Sequence, residues 1–311
     1  MDGVRGHILN YVSESFSLIG PSVHRPGLFR TLWLCLRESR PVVQMIFLGR
    51  FTAGALLARL PGGAHAAGVA AGAVAWFAAV FVVYLFNGLQ DLPEDIANGS
   101  TRPLAHGDLP VQSAWLVAGG AGALALGLSA LHPRLLCWTV PMLALGWAYS
   151  AGPFWAKRRS WSAALTTFGL GACTYGAGAA ATGAEPSRRL FLFAVALSLW
   201  IALVGSVTKD LTDTRGDAVA GRRTLAVTKG RRAALAVAAG GAVGTACFLV
   251  ATAVMADRSL LAPAVPLVVG AGTLVTLLIR PAAQPRTPYR TFMLSQYAAH
   301  AAVLVTVVLI R

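Results

Sequence analysis

The sequence predicts an all-α integral membrane protein built as a bundle of nine transmembrane helices. Of its 311 residues, 56% are hydrophobic and only 12% are charged, whereas an ordinary soluble domain has about a quarter charged residues. The mean hydropathy is +0.64. The polar residues lie in short gaps between long apolar runs, so too few charges remain to cover a surface exposed to water.

Nine apolar runs are each long enough to cross a bilayer, which takes roughly 20 helical residues. They consist mainly of Ala, Leu, Val and Gly, and the many small residues allow helices to pack closely within a membrane. The runs lie near 41–59, 66–88, 109–131, 135–153, 161–183, 190–208, 233–256, 260–279 and 291–310.

The basic residues predict the orientation and argue against one class of function. The formal net charge is +14, but the Lys and Arg residues are scattered through the gaps and form no cluster typical of a nucleic-acid-binding surface. Most of them fall in alternate gaps, which the positive-inside rule assigns to the cytoplasm. We therefore predict a multi-pass plasma-membrane protein with a cytoplasmic N-terminus, an external C-terminus, membrane lipid around it and no nucleic-acid partner.

A first acidic motif stands at the predicted cytoplasmic end of the second run. Asn87, Asp91 and Asp95 follow one another at intervals of four residues, so on a helix they face the same volume. Pro93 is expected to end or bend the helix within the motif, which would move Glu94 and Asp95 onto a loop.

A second acidic motif follows the sixth run. Asp210, Asp213 and Asp217 stand at i, i+3 and i+7, a spacing that again predicts one helical face, and Lys209 precedes them. Both motifs lie on the predicted cytoplasmic side, and each is followed by a similar short stretch of Arg and Thr. This faint repeat suggests a duplicated bundle with a site shared between its halves.

Carboxylates that converge at a membrane boundary cost several kcal/mol unless a cation compensates them. Mg²⁺ fits this role, because it prefers oxygen ligands and completes its coordination with water and substrate phosphate. Alternatively, the acids pair with neighbouring bases as solvated loop charges, but two matched motifs favour the metal. Bases on the same predicted side can grip phosphate oxygens, and they are Arg102, Lys157, Arg158, Lys209, Arg222 and Arg223.

These motifs resemble those of the UbiA superfamily of intramembrane prenyltransferases. The resemblance covers residues 38–310, with Gly88 standing where most members have Asp. The Lys209–Asp210 prefix is most similar to the branch that prenylates homogentisate, chlorophyllide or glyceryl phosphates. The matching residues are Asn87, Asp91, Asp95 and 101–107 (TRPLAHG) in the first loop, Asp213, Asp217 and 221–225 (GRRTL) in the second, and 149–153 (YSAGP) with Lys157 and Arg158 after the fourth run.

The resemblance implies a UbiA-like bundle with a central cavity and an enzyme that transfers prenyl groups, which are alkyl groups other than methyl. The C–O bond of an allylic prenyl diphosphate would ionise with Mg²⁺ on the leaving group, and a lipophilic, aromatic acceptor would capture the cation inside the membrane. The chain would comprise a cytoplasmic N-terminal extension, 1–37, and a transmembrane prenyltransferase domain, 38–311.

The resemblance also implies roles for individual residues. Tyr149 would face either the cation or the acceptor, and Asn87 would orient the first metal site. The diphosphate would contact Arg102, Lys157, Lys209 and Arg222. The implied catalytic and metal-binding set is Asn87, Asp91, Asp95, Asp213 and Asp217, with Asp210 as a further ligand, a group behind the ligands or a partner of Lys209.

Two other functions compete with prenyl transfer. A UbiA-type terpene cyclase would use the same diphosphate-ionising site without an acceptor. A transporter would place its charges near the bilayer midplane on broken helices, whereas here they lie at one face. Arg50, within the first run, is expected to face the bundle interior, either as a site contact or as the partner of an acid.

Overall fold

The computed structural model describes residues 26–58, 66–212, 214–280 and 284–309, and this part of the chain contains helices and no strand. Asp213 and the first 25 residues of the predicted N-terminal extension lie outside the described residues. A π-helical turn, Trp200–Gly205, joins the helices Arg188–Leu199 and Ser206–Asp210. The helices are α1 Leu28–Glu38, α2 Pro41–Leu57, α3 Ala66–Ala97, α4 Pro103–His106, α5 Val111–Ala130, α6 Pro133–Ser150, α7 Ser160–Ala181, α8 Arg188–Leu199, α9 Ser206–Asp210, α10 Thr214–Val219, α11 Leu225–Met255, α12 Leu261–Ile279 and α13 Thr287–Leu309.

The apolar runs fall on long helices, as the sequence predicts. Among the described residues, five helical segments are long and apolar enough to cross a membrane, and α2 is apolar but shorter, with 17 residues. An all-helical fold is therefore confirmed, whereas the number of nine transmembrane helices stays a prediction. The five segments are Ala66–Ala97, Val111–Ala130, Arg188–Asp210, Leu225–Met255 and Arg258–Ile279.

Pro93 does not end α3, so the expectation that it would end the helix and move Glu94 and Asp95 onto a loop was wrong. The helix continues to Ala97, and Gly99 in the following turn adopts a left-handed φ of 63°. Pro93 lies on the exposed side of the helix near its end, where the missing N–H removes one intrahelical hydrogen bond. Asp95 therefore stays on the same helix as Asn87.

Two large apolar cores make up the bundle, and α2 and α7 contribute to both. One core adds residues from α8, α11, α12 and α13, and the other adds residues from α3, α5 and α6. The duplicated bundle that the repeated motifs suggest stays a prediction. The two acidic motifs follow helices that belong to different cores.

Helix α1 packs against α3, α4 and α5. Its buried residues recur at helical spacing and are Thr31, Leu34, Cys35 and Glu38, whereas the large apolar side chains on its other side, including Phe29 and Trp33, are exposed. Burial is the main reason that the Cys35 thiol has a pKa raised to about 11. The helix thus ends with a buried carboxylate beside the first acidic motif.

Gly230 allows α11 to bend near its start. It has φ 84° and ψ 165°, a conformation that is essentially restricted to glycine. We expect Gly230→Ala to lower the free energy of unfolding by about 1–3 kcal/mol, measured as a lower melting temperature. Gly240→Ala is the control, because it lies in the straight part of α11 with nothing within 4 Å of an added Cβ. Equal melting temperatures for the two variants would contradict the prediction.

A central cavity of about 130 Å³ lies among α2, α3, α6, α7, the α8–α9 segment and α13. Its wall is mostly aromatic and apolar, but polar side chains also line it, including the cations of Arg40, Arg50 and Lys209. The aromatic lining residues are Phe47, Tyr84, Tyr149, Tyr289 and Phe292.

Candidate active site

Arg222 connects the two acidic motifs. Its Nη1 donates to Asp217 Oδ1 at 3.2 Å, and its Nη2 lies 3.5 Å from Asp91 Oδ1 and also bonds Glu94. The guanidinium is largely buried, with 14% of the side chain exposed. One cation therefore draws together carboxylates from α3 and α10, although the two helices are far apart in the chain.

The charge state of Arg222 follows from these neighbours. Burial by itself would lower its pKa, but the carboxylates of Glu94, Asp91 and Asp217 raise the pKa above the usual value for arginine. The side chain therefore stays charged under physiological conditions. It is a permanent counter-ion for both motifs.

Lys157 is a second cation at the same place. It lies on the short 3₁₀ helix Ala156–Arg158, its side chain is buried, and its ammonium bonds Asp91. The Ser162 hydroxyl donates to the Ala156 carbonyl at 2.7 Å and helps to fix this turn beneath α7. Asp91 thus faces two cations, which compensate a carboxylate that is only 8% exposed.

Asp95 and Arg102 form a neighbouring pair. Arg102 Nη1 donates to Asp95 Oδ2 at 2.6 Å, while its Nη2 donates to the Glu38 backbone carbonyl at 3.0 Å. The Nη2 also lies 2.6 Å from Glu38 Oε1. Arg102, which the sequence assigns to the diphosphate, is therefore engaged with two carboxylates from α3 and α1.

The second motif does not form one continuous helix, so the predicted shared face for its acids was wrong. Asp210 ends α9, and Asp217 lies on the separate helix α10. The hydroxyl of Thr212 donates to the Lys209 carbonyl at 3.1 Å, which satisfies a backbone acceptor at the end of α9. Asp217 nevertheless reaches the common site through Arg222.

Three predicted site residues, Asn87, Tyr149 and Lys209, line the central cavity. Asn87 Nδ2 donates to Ser150 Oγ at 3.0 Å, one turn along α3 from Asp91. The helix α3 therefore places the first carboxylate one turn from the cavity wall.

Arg50 is buried in the cavity wall. Its Nη2 donates to Gln296 Oε1 at 2.7 Å, which joins α2 to α13, and its guanidinium lies 4.9 Å from the centre of the Phe47 ring. Its partner is an amide and not the acid that the sequence offered as one alternative. The arrangement leaves a cationic group among aromatic side chains inside the cavity.

The carboxylates of the site can be compared with the oxygen ligands that Mg²⁺ requires. Among the described residues, no group of three His, Cys, Asp or Glu side chains is close enough to hold an ion. Cations instead stand between the carboxylates. Because Mg²⁺ uses one or two carboxylates and fills its other positions with water and phosphate, Asp91, Asp95 and Asp217 fit an ion that arrives with a diphosphate.

Two residues of the site were not assigned roles from the sequence. From the sequence, Glu94 was only one of several clustered acids. Its bond to Arg222 joins residues 128 positions apart in the chain, so it depends on the fold. Glu38 lies at the border of the predicted N-terminal extension. The signal that could have identified it is a single acidic residue among apolar residues of a helix.

Residues 48–301 match the model of the UbiA prenyltransferase family. Two curated relatives are aligned with this chain over about half of their own lengths. Diterpene cyclase eriG of Hericium erinaceus is 28% identical over 180 residues, which are 56% of this chain and 56% of that protein. Digeranylgeranylglyceryl phosphate synthase of Methanopyrus kandleri is 29% identical over 159 residues, 49% of this chain and 54% of that protein.

A solved structure supports the same fold. A UbiA homologue from Archaeoglobus fulgidus, bound to DMAPP and Mg²⁺, superposes with a TM-score of 0.71 at 19% identity, covering 88% of this chain and 99% of that chain. The family match covers well over half of the chain and includes both acidic motifs. The chain therefore belongs to the UbiA prenyltransferase family.

Proposed function

We propose that this protein transfers a prenyl group from an allylic prenyl diphosphate to a lipophilic, aromatic acceptor inside the membrane, with Mg²⁺ as cofactor. The observation that carries the proposal is the convergence of carboxylates with Arg222 and Lys157 at Asp91, one helical turn from Asn87 in the wall of a cavity with an aromatic lining. The solved relative bound to DMAPP and Mg²⁺ supports the same pairing of substrate and metal.

In this proposal the charged end of the site receives the diphosphate. Asp91, Asp95, Asp213 and Asp217 are the metal ligands, with Asn87 and Asp210 beside them, and the metal neutralises the leaving group. Lys157, Lys209 and Arg222 contact phosphate oxygens, because cations already held at the carboxylates can turn to an incoming diphosphate. Arg102 keeps Asp95 in place.

The cavity then controls the fate of the allyl group. The C–O bond breaks, and its electron pair leaves with the diphosphate. Aromatic side chains, including Tyr84 and Tyr149, stabilise the cation, and the apolar part of the wall limits its contact with water. A carbon of the acceptor ring bonds to the allyl group, and the ring proton passes to the departing diphosphate.

The family and the charge pattern also support a location. Residues 38–311 form the transmembrane prenyltransferase domain in the plasma membrane, and residues 1–37 precede it. The N-terminus and both acidic motifs face the cytoplasm, where water-soluble diphosphates are available, and the C-terminus lies outside. Membrane lipid supplies the surroundings from which a lipophilic acceptor enters.

A terpene cyclase is the second candidate, because diterpene cyclase eriG is similar to part of this chain. A cyclase would ionise the diphosphate at the same carboxylates. The cation would then be captured by a double bond of the same prenyl chain, so no acceptor would be needed.

A product screen distinguishes the two functions. The purified protein, in lipid nanodiscs with Mg²⁺, is incubated with geranyl, farnesyl or geranylgeranyl diphosphate, with and without phenolic and glyceryl phosphate acceptors, and products are identified by mass spectrometry. We expect a prenylated aromatic product only when an acceptor is present, and no product after Mg²⁺ is removed with EDTA. Terpene hydrocarbon or alcohol formed at the same rate without acceptor would establish the cyclase and contradict our proposal.

A further inference from the structure

Glu38 is a buried acid on a helix outside the residues that match the family, 48–301. Its side chain is fully buried, with one carboxylate oxygen in an ion pair and the other in a hydrogen bond. Oε1 lies 2.6 Å from Arg102 Nη2, and Oε2 accepts a hydrogen bond from the Leu104 backbone N–H at 3.0 Å. Glu38 therefore fixes both the guanidinium and the backbone turn that carries it.

Arg102 is paired with two carboxylates at the same time. One amino group faces Glu38 and the other donates to Asp95 Oδ2 at 2.6 Å. A pair of Arg102 and Asp95 alone would be neutral and would attract Mg²⁺ weakly. With Glu38 included, the three groups keep a net negative charge, and one Asp95 oxygen stays out of the ion pair.

Gly88 makes room for this arrangement. A Cβ at this position would lie 2.5 Å from Glu38 Oε1 and 2.8 Å from Arg102 Nη2, both too close for real atoms. The carboxylate and the guanidinium pack against the bare backbone of α3, one residue after Asn87. Any larger residue would have to displace the charged pair.

From these contacts we infer that Glu38 is a positioning residue, which acts through Arg102 to hold Asp95 ready for Mg²⁺. The inference rests on the proposed function, in which Asp95 is a metal ligand. An anchor for α1 alone would not require a charge, because Leu34 and Cys35 already bury the same face of that helix. Burial of a carboxylate costs free energy unless a cation or hydrogen-bond donor compensates its charge. The cation that compensates Glu38 is Arg102, which also contacts Asp95.

The test uses Glu38→Gln, which keeps the shape of the side chain and removes its charge. Thermal stability of the protein in nanodiscs is measured as Mg²⁺ is titrated at a fixed concentration of the unreactive analogue geranyl thiodiphosphate. We expect the Mg²⁺ concentration at half-maximal stabilisation to rise about ten-fold, the lower range for groups that support metal ligands. Glu38→Asp should recover part of the loss, and Arg37→Gln, an exposed charge change on the same helix, should leave the midpoint unchanged.

A steric variant gives an independent measurement. Gly88→Ala should raise the same midpoint, but its added effect should be smaller in a Glu38→Ala background, where the clash with the carboxylate is gone and only the contact with Arg102 Nη2 remains. An unchanged Mg²⁺ midpoint in Glu38→Gln, even with a lower melting temperature, would mean a merely structural role and overturn the inference. No Mg²⁺-dependent stabilisation of the unaltered protein would instead refute the proposed function, so the two failures are distinguishable.

Discussion

Asp91→Asn is expected to reduce Mg²⁺-dependent release of diphosphate by about a thousand-fold. The reason is that the neutral amide binds Mg²⁺ weakly, so less of the charge on the leaving diphosphate is compensated. Asp91 is the acid that both Lys157 and Arg222 face, and it lies one turn from Asn87 at the cavity. The measurement is the initial rate with geranyl diphosphate and a saturating acceptor. Asp108→Asn is the matched control, because this exposed acid of the same loop pairs only with His106 among the described residues.

Loss of a buried ion pair is a second effect of Asp91→Asn, and it must be separated from catalysis. The substitution leaves Lys157 buried without its carboxylate, which typically costs about 3–5 kcal/mol. Asp91→Asn with Lys157→Met removes both charges and should recover much of the melting temperature. Activity should stay low in this double variant. Recovery of activity together with stability would show that Asp91 only supports the fold.

Arg222→Gln is expected to lower kcat/KM for the prenyl diphosphate by about a hundred-fold, the loss typical of one preorganised charged donor. The substitution removes the cation that holds Asp91, Glu94 and Asp217 together, so three carboxylates lose their common partner. Arg222→Lys should recover a minor part, because an ammonium cannot bridge both motifs with a planar fork. Steady-state kinetics over a range of diphosphate concentrations provide the measurement.

The neighbouring Arg223 is the control for Arg222. Its side chain is exposed, and its backbone N–H donates to the Arg158 carbonyl at 2.7 Å, so Arg223→Gln keeps that hydrogen bond. We expect kcat/KM to stay within a few-fold of the unaltered enzyme. Equal losses in both variants would point to a general effect of positive charge and would contradict a specific role for Arg222.

Local patterns explain what could be predicted from the sequence. The spacing of Asn87, Asp91 and Asp95 is read within one helix, and α3 carries all three residues. Apolar length likewise predicts helices without knowledge of their neighbours. The break after Asp210 was missed because the helical spacing of the second motif gives no sign of the turn that separates α9 from α10.

Long-range partners could not be predicted from the sequence. Arg222 lies 131 residues from Asp91, and Glu38 lies 66 residues from Leu104. Such pairs depend on how the helices cross, and no local pattern encodes this. A basic residue near an acidic motif therefore predicts a phosphate contact and a structural ion pair equally well, as Arg102 shows.

The two sides of α1 give the bilayer a direct connection to the chemistry. Leu28, Phe29 and Trp33 are exposed on one side, where they can embed in the head-group region, while Glu38 reaches Arg102 on the other. We therefore expect lateral pressure in the leaflet to act on the helix whose Glu38 is paired with Arg102 beside Asp95. Detergent micelles lack this pressure, so, if Asp95 binds Mg²⁺ as we propose, extraction should weaken Mg²⁺ binding without unfolding the bundle.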